Sequence, residues 1–236
     1  MDEKEGVKFL KLPFKFHAEK LSKDLDKIEE LNWSNHFNKN GYSGIWSSVA
    51  LFSVDGELNN ISVPLDGQKL LETKALNVSN YFSEVLAVFK APILSARLLK
   101  LKSGSEIKPH EDHNLGYEDG CFRIHIPIIT DEKVNFFIED KRINMLPGEC
   151  WYTNVNYTHS VSNFSKIDRV HIVIDLERNE WSDSVFFSLC KKEQLLLKPT
   201  INYNLETIKK MISELKLQNT ETSKQLIESL KKQYQL

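Results

Sequence analysis

Three residues in the middle of the chain have the types and spacing to hold a redox metal. His110 and Asp112 stand in Lys108-Pro109-His110-Glu111-Asp112, and His159 stands in Tyr157-Thr158-His159-Ser160. Two imidazoles and one carboxylate on one side of an ion, with the other positions open, form the donor set of non-haem Fe(II) centres that use O2. Along a β-strand, residues i and i+2 point to the same side. His110 and Asp112 are therefore expected to face one ion while Glu111 turns away. The second histidine must come from another strand of the same barrel. A His-x-Asp pair alone is common on surface strands, and a lone histidine near a turn is usually only solvated. The pattern gains its meaning from a fourth residue.

Arg169 follows His159 by ten positions. The intervening Asn163-Phe164-Ser165-Lys166 reads as a turn, so a hairpin centred near Phe164 is expected, with His159 and Arg169 roughly opposed. Directly opposed Cβ atoms lie about 5 Å apart. A guanidinium beside an iron site suits a co-substrate that chelates the metal at one end and carries a second carboxylate at the other. A planar arginine fork binds such a carboxylate bidentately, and 2-oxoglutarate has this form. Arg123 and His125 share one face of Phe122-Arg123-Ile124-His125-Ile126. A charge directed into a barrel needs a partner, which leaves two readings: a pocket role, or an ion pair with Asp119 or Glu139. Arg97, opening the strand Arg97–Leu101, either reaches the same pocket or makes a surface salt bridge. His171 is expected to pack or hydrogen-bond below the site, and His113 to Tyr117 to form a lid over the metal. His17 and His36 carry no pattern.

Taken together, four runs resemble the aspartyl/asparaginyl β-hydroxylase family of Fe(II)/2-oxoglutarate dioxygenases. They are Pro109-His110-Glu111-Asp112, Phe122-Arg123-Ile124-His125-Ile126, Pro147-Gly148-Glu149-Cys150-Trp151, and His159 followed by Arg169-Val170-His171-Ile172-Val173-Ile174-Asp175. The aspartyl β-hydroxylases proper lack the carboxylate ligand. With Asp112 in place, the chain is more similar to the free-proline hydroxylase branch. The resemblance implies Fe(II) on His110, Asp112 and His159, and 2-oxoglutarate with its distal carboxylate on Arg169. It also implies that Arg123 and His125 line the co-substrate and substrate pocket as catalytic and cofactor-binding residues, and that O2 is consumed. The implied reaction is hydroxylation of an unactivated C–H in an Asp-, Asn- or Pro-like amino acid, free or in a short peptide. An inward Arg123 would grip a substrate carboxylate. Related iron halogenases leave the carboxylate position to chloride, so Asp112 implies hydroxylation instead. Two alternatives stand beside this reading. One is a cupin-type metal-binding isomerase, which Pro147-x-Glu149 and the late His159 fit, although the first-half His-x-His is missing. The other is a non-catalytic interaction module on the same barrel.

The whole chain sets further bounds. Its 236 residues carry 31 basic and 33 acidic side chains, a net charge of −2, which provides no basic field for nucleic acid. No apolar run approaches the ~18 residues of a membrane span, and the first residues do not read as a signal peptide. The three cysteines, Cys121, Cys150 and Cys190, form neither a disulfide framework nor a Cys-x-x-Cys pair. A reduced, cytoplasmic setting is expected.

The elements that must position these side chains can be read coarsely. Residues 7–16 read as an edge strand broken at Pro13, and 17–31 as a helix with Leu21, Leu25 and Ile28 on one face. Residues 45–54 read as a strand, and a helix capped by Ser79 stops before Pro92. From Ile93 to Leu176, short strands alternate with turns at Ser103-Gly104, Glu118-Asp119-Gly120, Thr130-Asp131-Glu132, Glu139-Asp140 and Pro147-Gly148. This predicts a mainly β fold with flanking helices, a double-stranded β-helix of the jelly-roll or cupin-like type. The expected divisions are 1–92 packing on the barrel, 93–176 as the jelly-roll core with the iron site, and 177–236 as a helical extension. In that extension Asn204 is expected to cap a helix with Ile208, Met211, Ile212 and Leu215, and a second helix carries Leu226, Ile227 and Leu230. Their polar faces suit covering the barrel or pairing with a second subunit as a homodimer.

Overall fold

Alternation with period two decides what each face of the central strands meets. In the strand Arg169–Glu177, Val170, Ile172, Ile174 and Leu176 enter one apolar cluster, while Val173 enters a second, with Arg169, His171 and Asp175 on its side of the strand. The strand Cys121–Ile129 repeats this: Phe122, Ile124, Ile126 and Ile128 face the first cluster, and Arg123 and His125 the other side. Both faces are buried, so these strands read as nearly continuous buried runs.

The computed structural model describes every residue except 1–4, 37, 66–67, 200–204, 219 and 235. In chain order it contains β1 (Phe9–Lys15), α1 (Ala18–Ile28), β2 (Ser34–Asn35), β3 (Tyr42–Ser43), β4 (Trp46–Ser53) and β5 (Leu71–Glu72). There follow α2 (Lys74–Asn77), α3 (Asn80–Leu86), β6 (Ile93–Leu101), β7 (Glu106–His110), β8 (Cys121–Ile129), β9 (Val134–Ile138) and β10 (Lys141–Ile143). The series ends with β11 (Glu149–Thr153), β12 (His159–Asn163), β13 (Arg169–Glu177), α4 (Glu180–Phe187), α5 (Lys192–Leu195), α6 (Leu205–Gln218) and α7 (Glu221–Tyr234). An eight-stranded sheet runs β1-β11-β8-β13-β6-β4-β2 with β5 beside β4, and a five-stranded sheet runs β10-β9-β12-β7-β3. The cluster that holds Leu99, Leu101, Phe136, Ile138, Val161 and Val173 draws on both sheets. The other cluster joins the outer face of the large sheet to the helices through Leu21, Leu25 and Ile28 of α1 and Phe82, Val85 and Leu86 of α3. This is the expected mainly β jelly roll with flanking helices.

Several local expectations hold. β1 lies at the sheet edge, and its register with β11 shifts between Lys11 and Lys15, around Pro13. Gly148 takes φ +77°, and a Cβ there would sit 2.2 Å from the Phe16 carbonyl oxygen, so the turn before β11 requires glycine.

Others are corrected. The hairpin centred near Phe164 does not form. β12 lies between β9 and β7 in the small sheet, whereas β13 lies between β8 and β6 in the large one. The reason lies in Asn163, which is fully buried. Its amide donates to the carbonyls of Leu101 (3.0 Å) and Ile167 (2.9 Å), and its Oδ1 accepts from the backbone N–H and hydroxyl of Ser165, so the chain turns out of its ladder. Ser79 precedes α3 as expected, but its hydroxyl donates back to Ala75 O. The α3 amides of Tyr81 and Phe82 donate instead to the carboxylate of Asp24 on α1, at 2.6 and 3.2 Å. Arg97 sits in the middle of β6 and does not open it.

Two units divide the chain, Met1–Lys198 and Pro199–Leu236. The second holds α6 and α7, which bury Ile208, Ile212 and Ile227 against one another. Thr220 and Ser223 exchange side-chain and backbone bonds at the start of α7, a reciprocal cap. The expected cap Asn204 lies outside the described residues.

Candidate metal and co-substrate site

β7 and β12 are ladder neighbours, and His110 and His159 are paired directly across them. Their ring centroids lie 4.2 Å apart. Each ring is steered from behind by a main-chain carbonyl: Lys108 O lies 2.8 Å from His110 Nδ1, and Tyr157 O lies 3.1 Å from His159 Nδ1. A carbonyl only accepts, so each Nδ1 carries a hydrogen, and Nε2 is the nitrogen left for an ion.

Asp112 arrives by a different route from the one expected. β7 ends at His110, so the carboxylate is not on the strand. The Asp112 N–H donates to Val155 O at 2.9 Å, which ties the loop after β7 to the segment leading into β12. Asp112 Oδ1 then stands 3.8 Å from His110 Nε2. One ligand atom from each of His110, Asp112 and His159 lies within 4.8 Å of the others.

The charge states suit a divalent ion. Burial, reinforced by nearby His110, lowers the His159 imidazole to about 4, so it is neutral at physiological pH. Burial alone would raise the Asp112 carboxyl, but the Arg123 guanidinium, with His159 and His110, holds it below its ordinary value. A metal ligand must be deprotonated, and His159 and Asp112 meet that condition.

The large sheet supplies the opposite wall of a cavity of about 620 Å³ that His110, Asp112, His159, Arg97, Arg123, His125 and Arg169 all line. His159 and Arg169 thus share one pocket, from facing sheets and not from one hairpin. Arg169 is only 1% exposed. Its Nη2 lies 2.9 Å from His171 Nδ1, and its buried Nε has no hydrogen-bond partner. Burial lowers it to about 9, and no carboxylate among the described residues pairs with it. His171 accordingly sits below the site, as expected, and burial holds its imidazole well below the usual value. His125 lines the cavity edge-on to Phe136, also kept neutral by burial, and its Nδ1 has no partner.

Arg123 is buried and directed inward, but its partners are neither Asp119 nor Glu139. Its Nε and Nη2 donate to Asp175 at 2.7 and 3.1 Å, and its Nη1 donates to Asp112 Oδ2. Asp119 pairs with Lys198 and Glu139 with Lys8. Arg97 is likewise buried, not a surface residue, and donates through Nη1 to Asp175 at 3.0 Å. Of the expected lid, His113 and Leu115 reach the cavity mouth, whereas Tyr117 is fully buried against Phe122 and Phe186. Two residues escaped the sequence reading. Asp175 organises both arginines. His36 lines the cavity while stacked on Trp46 at 3.6 Å. It follows a two-residue strand too short for any periodicity to expose.

Comparisons with known proteins bear on the family. An L-proline cis-4-hydroxylase of Rhizobium meliloti (strain 1021) is 25% identical over 172 residues, 72% of this chain and 61% of the relative. An L-proline cis-3-hydroxylase 2 of a Streptomyces species is 31% identical over 139 residues, 56% of this chain and 47% of the relative. The chain thus spans about half to three-fifths of the curated relatives it matches. In fold it is similar to the crystal structure of an oxidoreductase of the 2OG-Fe(II) oxygenase family from Burkholderia pseudomallei. That likeness has a TM-score of 0.50 and 14% identity, covering 73% of this chain and 86% of the other. The family model described as Aspartyl/Asparaginyl beta-hydroxylase matches residues 15–179, a span that holds every strand after β1 and every residue of the cavity named above, and the chain belongs to that family.

Proposed function

We propose that the protein is an Fe(II)- and 2-oxoglutarate-dependent dioxygenase that hydroxylates an unactivated C–H of an amino acid, free or in a short peptide. Arg169 carries this reading. A buried guanidinium without a carboxylate partner is costly unless an anion completes it. It lines the same cavity as two imidazoles and a carboxylate with ligand atoms within 4.8 Å of each other. That donor set fits Fe(II), and the orphaned cation fits the far carboxylate of a co-substrate chelated there.

His110, Asp112 and His159 would hold the ion. Bound iron would supply the redox chemistry that couples conversion of 2-oxoglutarate and O2 to succinate and CO2 with insertion of one oxygen atom into the substrate. The chain's own residues orient and exclude. Arg169 anchors the co-substrate, and His171, accepting from its Nη2, fixes the plane of the guanidinium. Leu99, Ile107, Phe136 and Val161 give the cavity apolar walls that limit water. Arg97 donates to Asp175 and Ser95 through Nη1, which leaves the rest of its guanidinium to meet a substrate carboxylate. Arg123 lines the pocket with all three nitrogens already committed to carboxylates, so Arg97 suits that task better.

The relatives named proline hydroxylases favour a small amino-acid substrate. The test is a panel of free amino acids, their amides, and short Asp-, Asn- or Pro-containing peptides. Products are scored by gain of one oxygen and by succinate release. Oxidation of free amino acids in preference to amides is the expected result. Oxidation only within peptides would move the substrate to the peptidyl Asp/Asn class, and no succinate with any member would contradict the proposed reaction.

A further inference from the structure

We propose that Asp175 is a positioning residue for the metal centre: it fixes Arg123 so that one oxygen of Asp112 is capped and the other is presented to the ion. The inference rests on the metal reading above and extends it to a residue that touches no ligand atom.

The placement follows from register. β13 is flanked by β8 and β6, and Asp175 is paired with Arg123 on one side and Ser95 on the other. The carboxylate is 2% exposed. Both its oxygens are used on Arg123, at 2.7 Å to Nε and 3.1 Å to Nη2, and Oδ2 also accepts from Arg97 Nη1 at 3.0 Å and from the Ser95 hydroxyl at 3.2 Å. A two-pronged bond fixes the plane of a guanidinium as well as its place. With that edge of Arg123 held, the remaining Nη1 reaches Asp112 Oδ2. Asp112 Oδ1 is left 3.8 Å from His110 Nε2, on the side of the histidines. A carboxylate with one oxygen already engaged coordinates through the other alone, which keeps a further position open for co-substrate. Asp175 also cancels a charge. Without it, two buried guanidinium groups would face one carboxylate, and Arg123 would draw Asp112 away from a cation. Outer partners of this kind orient ligands, and losing one typically costs 10–100-fold in metal affinity.

The experiment uses Co(II) as the probe, with binding read by calorimetry and coordination read from the visible d–d spectrum. Melting of the metal-free protein is followed separately. Asp175→Asn is expected to weaken Co(II) binding at least tenfold and to change the spectrum. Ser95→Ala removes a hydrogen bond to the same carboxylate but leaves both guanidinium contacts, and it should bind within about threefold of wild type. Should Asp175→Asn fail to fold, the charge-balanced Arg97→Met/Asp175→Asn pair replaces it. The same tenfold loss is expected there, since Arg123 still lacks its two-pronged partner. A folded variant lacking the Asp175 carboxylate that keeps wild-type affinity and spectrum would overturn the inference. So would loss of the fold in both variants, which would assign Asp175 to the core. Wild-type protein that binds no Co(II) would instead sink the metal reading itself.

Discussion

Arg169 sits in the site at a cost to the fold. A buried guanidinium whose neighbours are the neutral His171 and His125 has given up its hydration without gaining a counter-charge. Replacing buried ionic groups by apolar ones of similar volume is often stabilising, by about 1–4 kcal/mol. Arg169→Met should therefore raise the melting temperature of the ligand-free protein while abolishing 2-oxoglutarate binding. Thermal denaturation without ligands checks the first half, and a lower melting temperature would mean that the guanidinium is better compensated than its surroundings indicate. Arg169→Lys keeps the charge but loses the planar fork. Affinity for 2-oxoglutarate should fall about tenfold or more, a decade corresponding to ~1.4 kcal/mol, and an unchanged dissociation constant would remove Arg169 as the anchor. At this scale the sequence was informative because residue type and short spacing carry the chemistry. His110, Asp112, His159 and Arg169 could be picked out and do line one cavity. The partner of Arg123 could not, because Asp175 lies 52 positions away and meets it only through the β8–β13 register.

Elements carry their own long-range dependencies. Alternation located the buried faces of β8 and β13, since period two is a local property. The destination of the chain after β12 is not local: Asn163, Ser165 and Ile167 form a bonded knot that moves it between sheets, where a polar turn suggested a hairpin. The start of α3 makes the same point, because its amides are satisfied by Asp24 of another helix and not by the adjacent Ser79. Asp24→Ala should cost about 0.5–2 kcal/mol, the range for loss of a helix cap. For a chain of this size that is a drop of roughly 1–8 °C at ~2–4 °C per kcal/mol. Metal affinity should be unchanged, because Asp24 joins α1 to α3 and does not line the cavity. Thermal melts with parallel metal titrations check this. A fall in metal affinity would show that α1 and α3 act on the site.

For the molecule as a whole, buried imidazoles make stability sensitive to mild acid. His159 and His36 are lowered to about 4, burial being the main cause, and His125 and His171 well below their ordinary value. Between about pH 6.5 and 4 the unfolded chain binds protons that the folded protein refuses. Stability present above about 6.5 is therefore lost as pH falls through that window. Asp112 and Asp175, both lowered, act in the same sense but only below the ordinary carboxylate range near 4. The melting temperature of metal-free protein should begin to fall near pH 6.5, and a flat profile down to pH 4.5 would contradict this. The jelly-roll class was legible from turn spacing, and no helix among the described residues is long and apolar enough to cross a membrane. In the proposed enzyme one cavity holds a metal on His110, Asp112 and His159 and a dicarboxylate on Arg169. Anaerobic titration of Fe(II)-loaded protein with 2-oxoglutarate, followed by visible absorption, reads both at once. A weak charge-transfer band that saturates at one equivalent, is absent in His159→Ala and is shifted to far higher co-substrate concentration in Arg169→Lys is the result expected. Wild-type protein that develops no band, or a band indifferent to both substitutions, would contradict it.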